Sequence, residues 1–199
     1  GVFLSGGIDS STTCALLHRE QCDISTYTLG TKYGDEFEDA QQLTSYLHID
    51  NTKVMASDQN AVVHFEHAIY SNETIDGLTA ETLAQLDLLA SVACQRVNSI
   101  ATGYGADLLF GSMLRHELYM KLAGVSDLQS LIERTCWSGE FSPFYAWSRG
   151  VSVHHLFWNP DVMNIAFQIP DSFNYDGKFE KISLRSVAVQ QGWMEEAHA

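Results

Sequence analysis

The stretch Val2-Phe3-Leu4-Ser5-Gly6-Gly7-Ile8-Asp9-Ser10-Ser11 decides the fold. Three consecutive apolar residues read as a short buried strand, the two glycines break it, and Ser10 to His18 continues as a helix. A loop between a strand end and a helix start offers an anion unpaired N–H groups and the positive end of the helix dipole. The glycines let the backbone come close to a phosphate, and Ser5, Ser10 and Ser11 add hydroxyl donors. Asp9 would repel a phosphate unless a divalent cation stood between them, so the combination implies magnesium. No GxxxxGK[ST] and no GxGxxG occurs, which excludes the kinase-type phosphate loop and the dinucleotide fingerprint. A serine-capped glycine turn is the bland alternative, but it needs neither the aspartate nor three hydroxyls.

Outward from this loop, Ile24 to Leu29 reads as a second strand, and Glu36 to Leu47 as a helix, with Phe37, Ala40, Leu43 and Leu47 at helical spacing. Thr52 to Met55 makes a third strand. A long helix carrying Leu83, Leu86, Leu89 and Ala93 on one face leads into a short strand, Asn98 to Thr102. This βαβαβ…αβ order predicts an α/β fold with a parallel, doubly wound sheet, helices on both faces, and ligands at the carboxyl ends of the strands. Beyond residue 113 strand signals fade, and Trp137, Phe141, Phe144, Tyr145, Trp147, Phe157 and Trp158 crowd in. The expected organisation is a single domain over 1–199, with a nucleotide-binding core at 1–112 and a mainly helical cap at 113–199, including a helix from Asp161 to Phe167 between proline turns. The start, Gly1-Val2-Phe3-Leu4, lacks an initiator methionine and carries no signal peptide, so a fragment or the ordered part of a longer chain is expected.

Composition narrows the partners. The 199 residues carry 25 acidic and 11 basic side chains, a formal charge of −14, without a basic run. Such a surface suits neither a nucleic-acid backbone nor an anionic membrane. No apolar stretch approaches the ~18 residues of a membrane span. Cys14, Cys22, Cys94 and Cys136 are scattered without CxxC pairs, and are read as reduced, mostly buried thiols of a cytoplasmic protein. A small-molecule partner is expected, and self-association is left open.

A second motif, Thr102-Gly103-Tyr104-Gly105-Ala106-Asp107-Leu108-Leu109-Phe110-Gly111, follows the last strand of the core. In a parallel sheet it emerges on the same edge as the first loop, so Asp107 is expected to meet Asp9 across one magnesium ion bridging a triphosphate. A glycine-rich turn with a capping aspartate is the plain alternative. Leu29 and Gly30 end the second strand at the edge where ligands are expected, with an ordinary strand-end turn as the alternative. His154 and His155 are adjacent on a strand and point to opposite faces, which argues against a ligand pair. His64 and His67 lie one helical turn apart and read as a solvated face.

SGGIDSS after a leading strand resembles the pyrophosphate loop of the N-type ATP pyrophosphatases. Together with TGYGAD it is similar to the synthetase domain of the asparagine synthetase superfamily over nearly the whole chain. The resemblance implies ATP and magnesium, with Leu4, Ser5, Gly6, Gly7, Asp9, Ser10, Ser11, Leu29, Gly30, Gly103 and Lys181 at the nucleotide and Asp9 and Asp107 at the metal.

Asparagine synthetases carry an acidic residue where this chain has Tyr104, and a glutamate where it has Leu108. Tyr104, Glu140 within Trp137-Ser138-Gly139-Glu140-Phe141, the stretch Asn72 to Glu81, and His155-Leu156-Phe157-Trp158 instead resemble the β-lactam synthetases, most closely the carbapenam synthetases. That branch adenylates an amino acid and closes it to a four-membered lactam. The resemblance implies Tyr104 and Glu140 as the dyad that takes the amine proton, Lys181 of a KxxLR segment at the phosphates, and substrate contacts at Tyr104, Gly105 and Asp107, with Glu73 and Asp76 as further candidates. The branch's N-terminal amidotransferase-like domain and a lysine-glycine segment expected after Ala199 have no counterpart here, in which it is similar to the tabtoxinine-β-lactam synthetases for the first of these.

Overall fold

A computed structural model describes residues 1–111, 124 and 127–193. Contacts group the chain into two units: Gly1–Thr102 with Gly139–His154, and Gly103–Ser138 with the stretch from His155 onward.

The first unit is built on a six-stranded sheet. Its elements in order are β1 (Val2–Phe3), α1 (Ile8–Arg19), β2 (Thr26–Thr31), β3 (Gly34–Asp35), α2 (Phe37–Leu47), β4 (Asn51–Ala56), α3 (Asp58–Asn72), α4 (Gly77–Ala93) and β5 (Ser99–Thr102). β1 pairs in parallel with β2 and with β5, and β2 in parallel with β4, while two-residue β3 runs antiparallel to the end of β2. The register sets Phe3 opposite Thr102, so the chain leaves neighbouring strands β1 and β5 at the same edge. β2 lies on one side of β1 and β5 on the other, which makes the end of β1 the point where strand order reverses.

Alternation along β1 explains why helices cover both faces. Val2 and Leu4 pack with Cys14 of α1 and Ala40, Leu43 and Leu47 of α2. Phe3 points the other way and joins Tyr27, Val54, Ala68 of α3, and Leu83, Leu88 and Ala90 of α4. The expected doubly wound α/β sheet is therefore present. α4 fills the core on the Phe3 face: Leu83, Ala90 and Ala93 are fully enclosed and Leu89 is buried, whereas Leu86 is half-buried against the same cluster. Burial of each such leucine contributes about 1.5–3 kcal/mol relative to exposure.

The sequence did not announce α3. Only Ala68 is buried on it, whereas Val62, Val63 and Tyr70 are exposed, so no apolar stripe marks the helix. A capping box starts it: Asn60 N–H donates to Ser57 Oγ (3.2 Å), and Ser57 N–H to Asn60 Oδ1 (2.7 Å). A sixth strand, β6 (Ser152–His155), also lies beyond the point where strands were expected to fade. Ser152 N–H donates to Asn98 O (2.9 Å), which ties β6 beside β5.

His64 and His67 are not a solvated face. Both turn toward α4, where Asp87 is fully buried: His64 Nδ1 lies 2.5 Å from Asp87 Oδ2 and His67 Nδ1 lies 3.1 Å from Oδ1. Arg149 completes the cluster, its Nε donating to Oδ1 (2.7 Å) and its Nη2 to Oδ2 (2.8 Å). A buried carboxylate needs such a fork to offset its lost hydration, and removing one partner of a buried pair costs about 3–5 kcal/mol. Burial, and then the Asp87 charge, push the phenol of neighbouring Tyr145 well above its ordinary pKa.

The second unit is helical: α5 (Ala106–Leu109), α6 (Leu128–Thr135), α8 (Pro160–Ala166) and α9 (Ile182–Gln190), with α7 (Phe144–Trp147) belonging to the first unit. Asp127 caps α6 and Asn159 caps α8 by accepting backbone N–H groups. Among the described residues no helix is long and apolar enough to cross a membrane.

The four thiols are free, but only Cys14 is buried; Cys94 is half-buried, and Cys22 and Cys136 are exposed. Burial pushes the Cys14 thiol up to about 12, so it stays protonated and unreactive at neutral pH. Iodoacetamide at pH 8 followed by peptide mass spectrometry should modify Cys22 and Cys136 and leave Cys14 untouched until the fold is lost. Equal labelling of Cys14 in the native protein would contradict this core placement.

Candidate active site

The loop after β1 is shaped by its own serines. Ser10 Oγ accepts from Ser5 N–H (3.1 Å), lies 3.0 Å from Ser5 Oγ, and donates to Gly7 O (3.2 Å). Gly7 N–H donates to Ser5 Oγ (3.2 Å). Two of the three hydroxyls expected at a phosphate thus hold the loop's curvature, and Ser11 is buried on α1. Gly7 is the N-cap of α1 and supplies no side-chain cap. Helix geometry gives the first N–H groups of α1 no intrahelical acceptor, and Asp9 stands in this first turn. The result is a helix start of the kind that can bind an anion, with a carboxylate in its first turn.

Gly6 is required twice over. Its φ of 85° favours glycine, and a Cβ there would stand 2.4 Å from Asp39 Cβ and 2.7 Å from Ala40 N at the start of α2. Gly30 has a different reason: a Cβ would meet Phe37 Cζ at 2.5 Å, so the glycine admits the Phe37 ring. Leu29 is half-buried against the core. Leu4, expected at the nucleotide, buries its side chain at 2% exposure, and its N–H donates to Tyr27 O, so only its carbonyl edge is left for a ligand.

In the second unit, the chain after Gly103 turns through Gly105, whose φ of 100° no side-chain-bearing residue adopts comfortably, and enters α5. Tyr104 is half-buried, its ring edge-on to His155 with centroids 5.4 Å apart. His154 is exposed while His155 faces this tyrosine, so the two histidines point apart as strand alternation requires. His155 is a site neighbour that the sequence reading named only within the stretch His155-Leu156-Phe157-Trp158 and set aside as a metal ligand; its contact with Tyr104 was not foreseen.

Lys181 Nζ lies 2.6 Å from Asp107 Oδ1, although the lysine side chain is 8% exposed and the aspartate 55%. Lys181 holds φ 55° as the N-cap of α9. A left-handed lysine costs on the order of 1–3 kcal/mol and persists only where its surroundings enforce it. Here Asn174 accepts on both atoms, from Ile182 N–H at its carbonyl (3.2 Å) and from the Ser183 hydroxyl at Oδ1, while Arg185 Nε donates to Glu180 O (3.1 Å). One buried cation and one accessible carboxylate are therefore brought together from 107 and 181, a pairing that spacing could not reveal.

Asp76 caps α4: its Oδ2 accepts from Thr79 N–H (2.7 Å), and that bond holds its carboxyl below the usual range. Glu73 is the left-handed residue closing α3. Both expected substrate contacts thus have structural work at helix ends. Glu140 occupies a turn closed by Ser142 N–H donating to Gly139 O (3.0 Å) and belongs to the first unit.

Among the described residues no group of three or more histidine, cysteine, aspartate or glutamate side chains could hold a metal by itself. Magnesium uses one or two carboxylates when phosphates complete its shell, and Asp9 in the first unit and Asp107 in the second are each donors of that type.

A parallel doubly wound sheet with a glycine-serine loop at its switch point is the adenine nucleotide α-hydrolase-like fold. The asparagine synthase family matches residues 1–142, and the chain belongs to that family. It is 28% identical over 166 residues, 82% of the chain, to carboxyethyl-arginine beta-lactam-synthase of Streptomyces clavuligerus, 32% of which is covered. A putative glutamine-hydrolyzing asparagine synthetase of Methanocaldococcus jannaschii is 24% identical over 94% of the chain and 35% of that protein. Asparagine synthetase 2 of Oryza sativa subsp. japonica is 23% identical over 94% and 34%. The chain spans about a third of the length of these relatives.

Proposed function

We propose that this protein uses ATP to activate an amino-acid carboxylate as its adenylate, releasing pyrophosphate, and that the substrate's own amine then closes a β-lactam. The observation that carries the ring-closing half is Tyr104 in the loop after β5 together with Leu108 in α5, at positions where the asparagine synthetases that the chain resembles have acidic residues. Similarity to a beta-lactam-synthase over 82% of the chain supports the same reading.

In this mechanism the carboxylate oxygen attacks the α phosphorus and pyrophosphate leaves. The N–H groups at the start of α1 bind the phosphates, and Lys181 turns from Asp107 to their charge. Magnesium, held by Asp9 and Asp107, would neutralise phosphate charge when bound. The amine nitrogen then attacks the acyl carbon and AMP leaves. Holding both groups in one molecule supplies on the order of 7–11 kcal/mol of the barrier by orientation alone. Before attack the ammonium gives a proton to the Tyr104 oxygen while the phenol's own proton passes to the Glu140 carboxylate, a tyrosine's ordinary pKa of about 10 being close to that of the amine. Likeness to several asparagine synthetases over 93–94% of the chain favours a second reading, amide formation with an external amine.

With ATP, magnesium and candidate β-amino acids, phosphorus NMR should show AMP and pyrophosphate in equal amounts. Mass spectrometry should show a product one water lighter than the amino acid. ADP and orthophosphate as main products would overturn the adenylation, and an amide to added ammonia without cyclisation would select the second reading.

A further inference from the structure

We propose that Lys181 makes the Asp107 carboxylate selective, closing it to a divalent cation alone and opening it to the same cation when nucleotide phosphates arrive with it. This deepens the reading of both residues given above and rests on it. Lys181 Nζ lies 2.6 Å from Asp107 Oδ1, so the carboxylate that a metal would use already carries an ammonium. Like charges on one carboxylate repel, and the repulsion is strongest where water is scarce: the lysine side chain is 8% exposed. A divalent cation by itself brings two more positive charges to that place. Triphosphate brings negative charge along with the cation, which offsets the metal and the lysine together.

The backbone that carries the ammonium is itself fixed. Lys181 sits at φ 55° as the N-cap of α9. Ile182 N–H donates to Asn174 O (3.2 Å), Arg185 N–H donates to Lys181 O (2.9 Å), and Leu184 and Ala188 are buried in the turns that follow. With its Cα so held, the lysine moves its charge only by swinging its own stem, and it stays within reach of whatever binds Asp107. The carboxylate, at 55% exposed, is open to solvent, so charge and not access limits a metal there. Such coupling between two ligands is reciprocal. Through Lys181, phosphate raises the affinity of Asp107 for the cation, and the cation raises the affinity for phosphate by the same factor.

The test is the binding of Mn²⁺ without nucleotide, followed by electron paramagnetic resonance of the free ion, in the parent, Lys181→Met and Lys181→Met with Asp107→Asn. The parent should bind weakly, and Lys181→Met roughly 10-fold more tightly, within the usual range of coupling between two sites. The double variant should lose that gain, because the gain is made at Asp107. Lys181→Arg keeps a cation on the same stem position and should stay with the parent. If Lys181→Met does not fold, Lys181→Gln carries the same comparison. Equal affinity in the parent and Lys181→Met, including no measurable binding to either, overturns the proposal. So does a gain that survives Asp107→Asn, or one as large in Lys181→Arg, which would trace it to packing. Pyrophosphate exchange at the parent rate in Asp107→Asn takes Asp107 out of the metal site, and overturns the reading beneath the proposal as well.

Discussion

Tyr104→Phe will separate activation from ring closure. The phenylalanine ring preserves the edge-on contact with His155, 5.4 Å between centroids, and removes only the hydroxyl. In the proposed reaction adenylation rests on the α1 start, the carboxylates and Lys181 and not on the phenol, so substrate-dependent exchange of labelled pyrophosphate into ATP should persist. Lactam formation should fall by ~10²–10⁴-fold, the usual loss for a positioned acid–base group. Glu140→Gln should fall in the same direction because it removes the charge that supports the phenol. A parent rate of lactam formation in Tyr104→Phe would reduce the tyrosine to a packing residue. Joint loss of exchange and product would move it to binding or adenylation.

The largest effect on nucleotide turnover is expected from the carboxylates. Asp9→Asn and Asp107→Asn keep size and shape and remove one negative charge each, so each should lower magnesium-dependent pyrophosphate exchange by ~10³-fold or more, the equivalent of several kcal/mol of charge stabilisation at the phosphates. Raising magnesium should recover part of the loss in a weakened metal site and none of it in a misfolded protein. Asp107→Asn has a second signature, since it takes away the partner of nearly buried Lys181. Thermal melting should therefore fall more for Asp107→Asn than for Lys181→Met with Asp107 intact, because a 55% exposed carboxylate is served by water and an 8% exposed ammonium is not. Exchange at parent rate in either asparagine variant would remove that residue from the metal site.

The elements that could be read in advance are those whose burial follows a single period. β1 alternates between two cores, α2 repeats Ala40, Leu43 and Leu47 on one face, and α4 encloses Leu83, Leu89 and Ala93. Each pattern is set by neighbours within one or two turns of chain, and so is written locally. α3 escaped because its solvent face is as apolar as its buried one: Val62, Val63 and Tyr70 are exposed and the inward positions include two histidines. Strand β6 was read only at His154 and His155 and not as a sixth strand of the sheet, because Ser-Val-His-His buries one residue and its place beside β5 comes from Ser152 meeting Asn98.

The sequence by itself determined where the two loops fall and which residues they carry: Gly6 and Gly7 after a strand, Asp9 in the first turn of a helix, and Tyr104, Gly105 and Asp107 after a strand end. These depend on residues within a few positions of one another, where backbone dihedrals and helix ends leave little choice. Tertiary structure alone decided which distant groups meet. Asp87 and Arg149 are 62 residues apart, and Asn72 and Ser142 are 70 apart. Lys181 reaches Asp107 from a left-handed turn that Asn174 enforces. Such pairs arise because a buried charge or an unsatisfied backbone group must find a partner wherever the packed chain supplies one, and that supply is fixed only when the helices and sheet have closed around it.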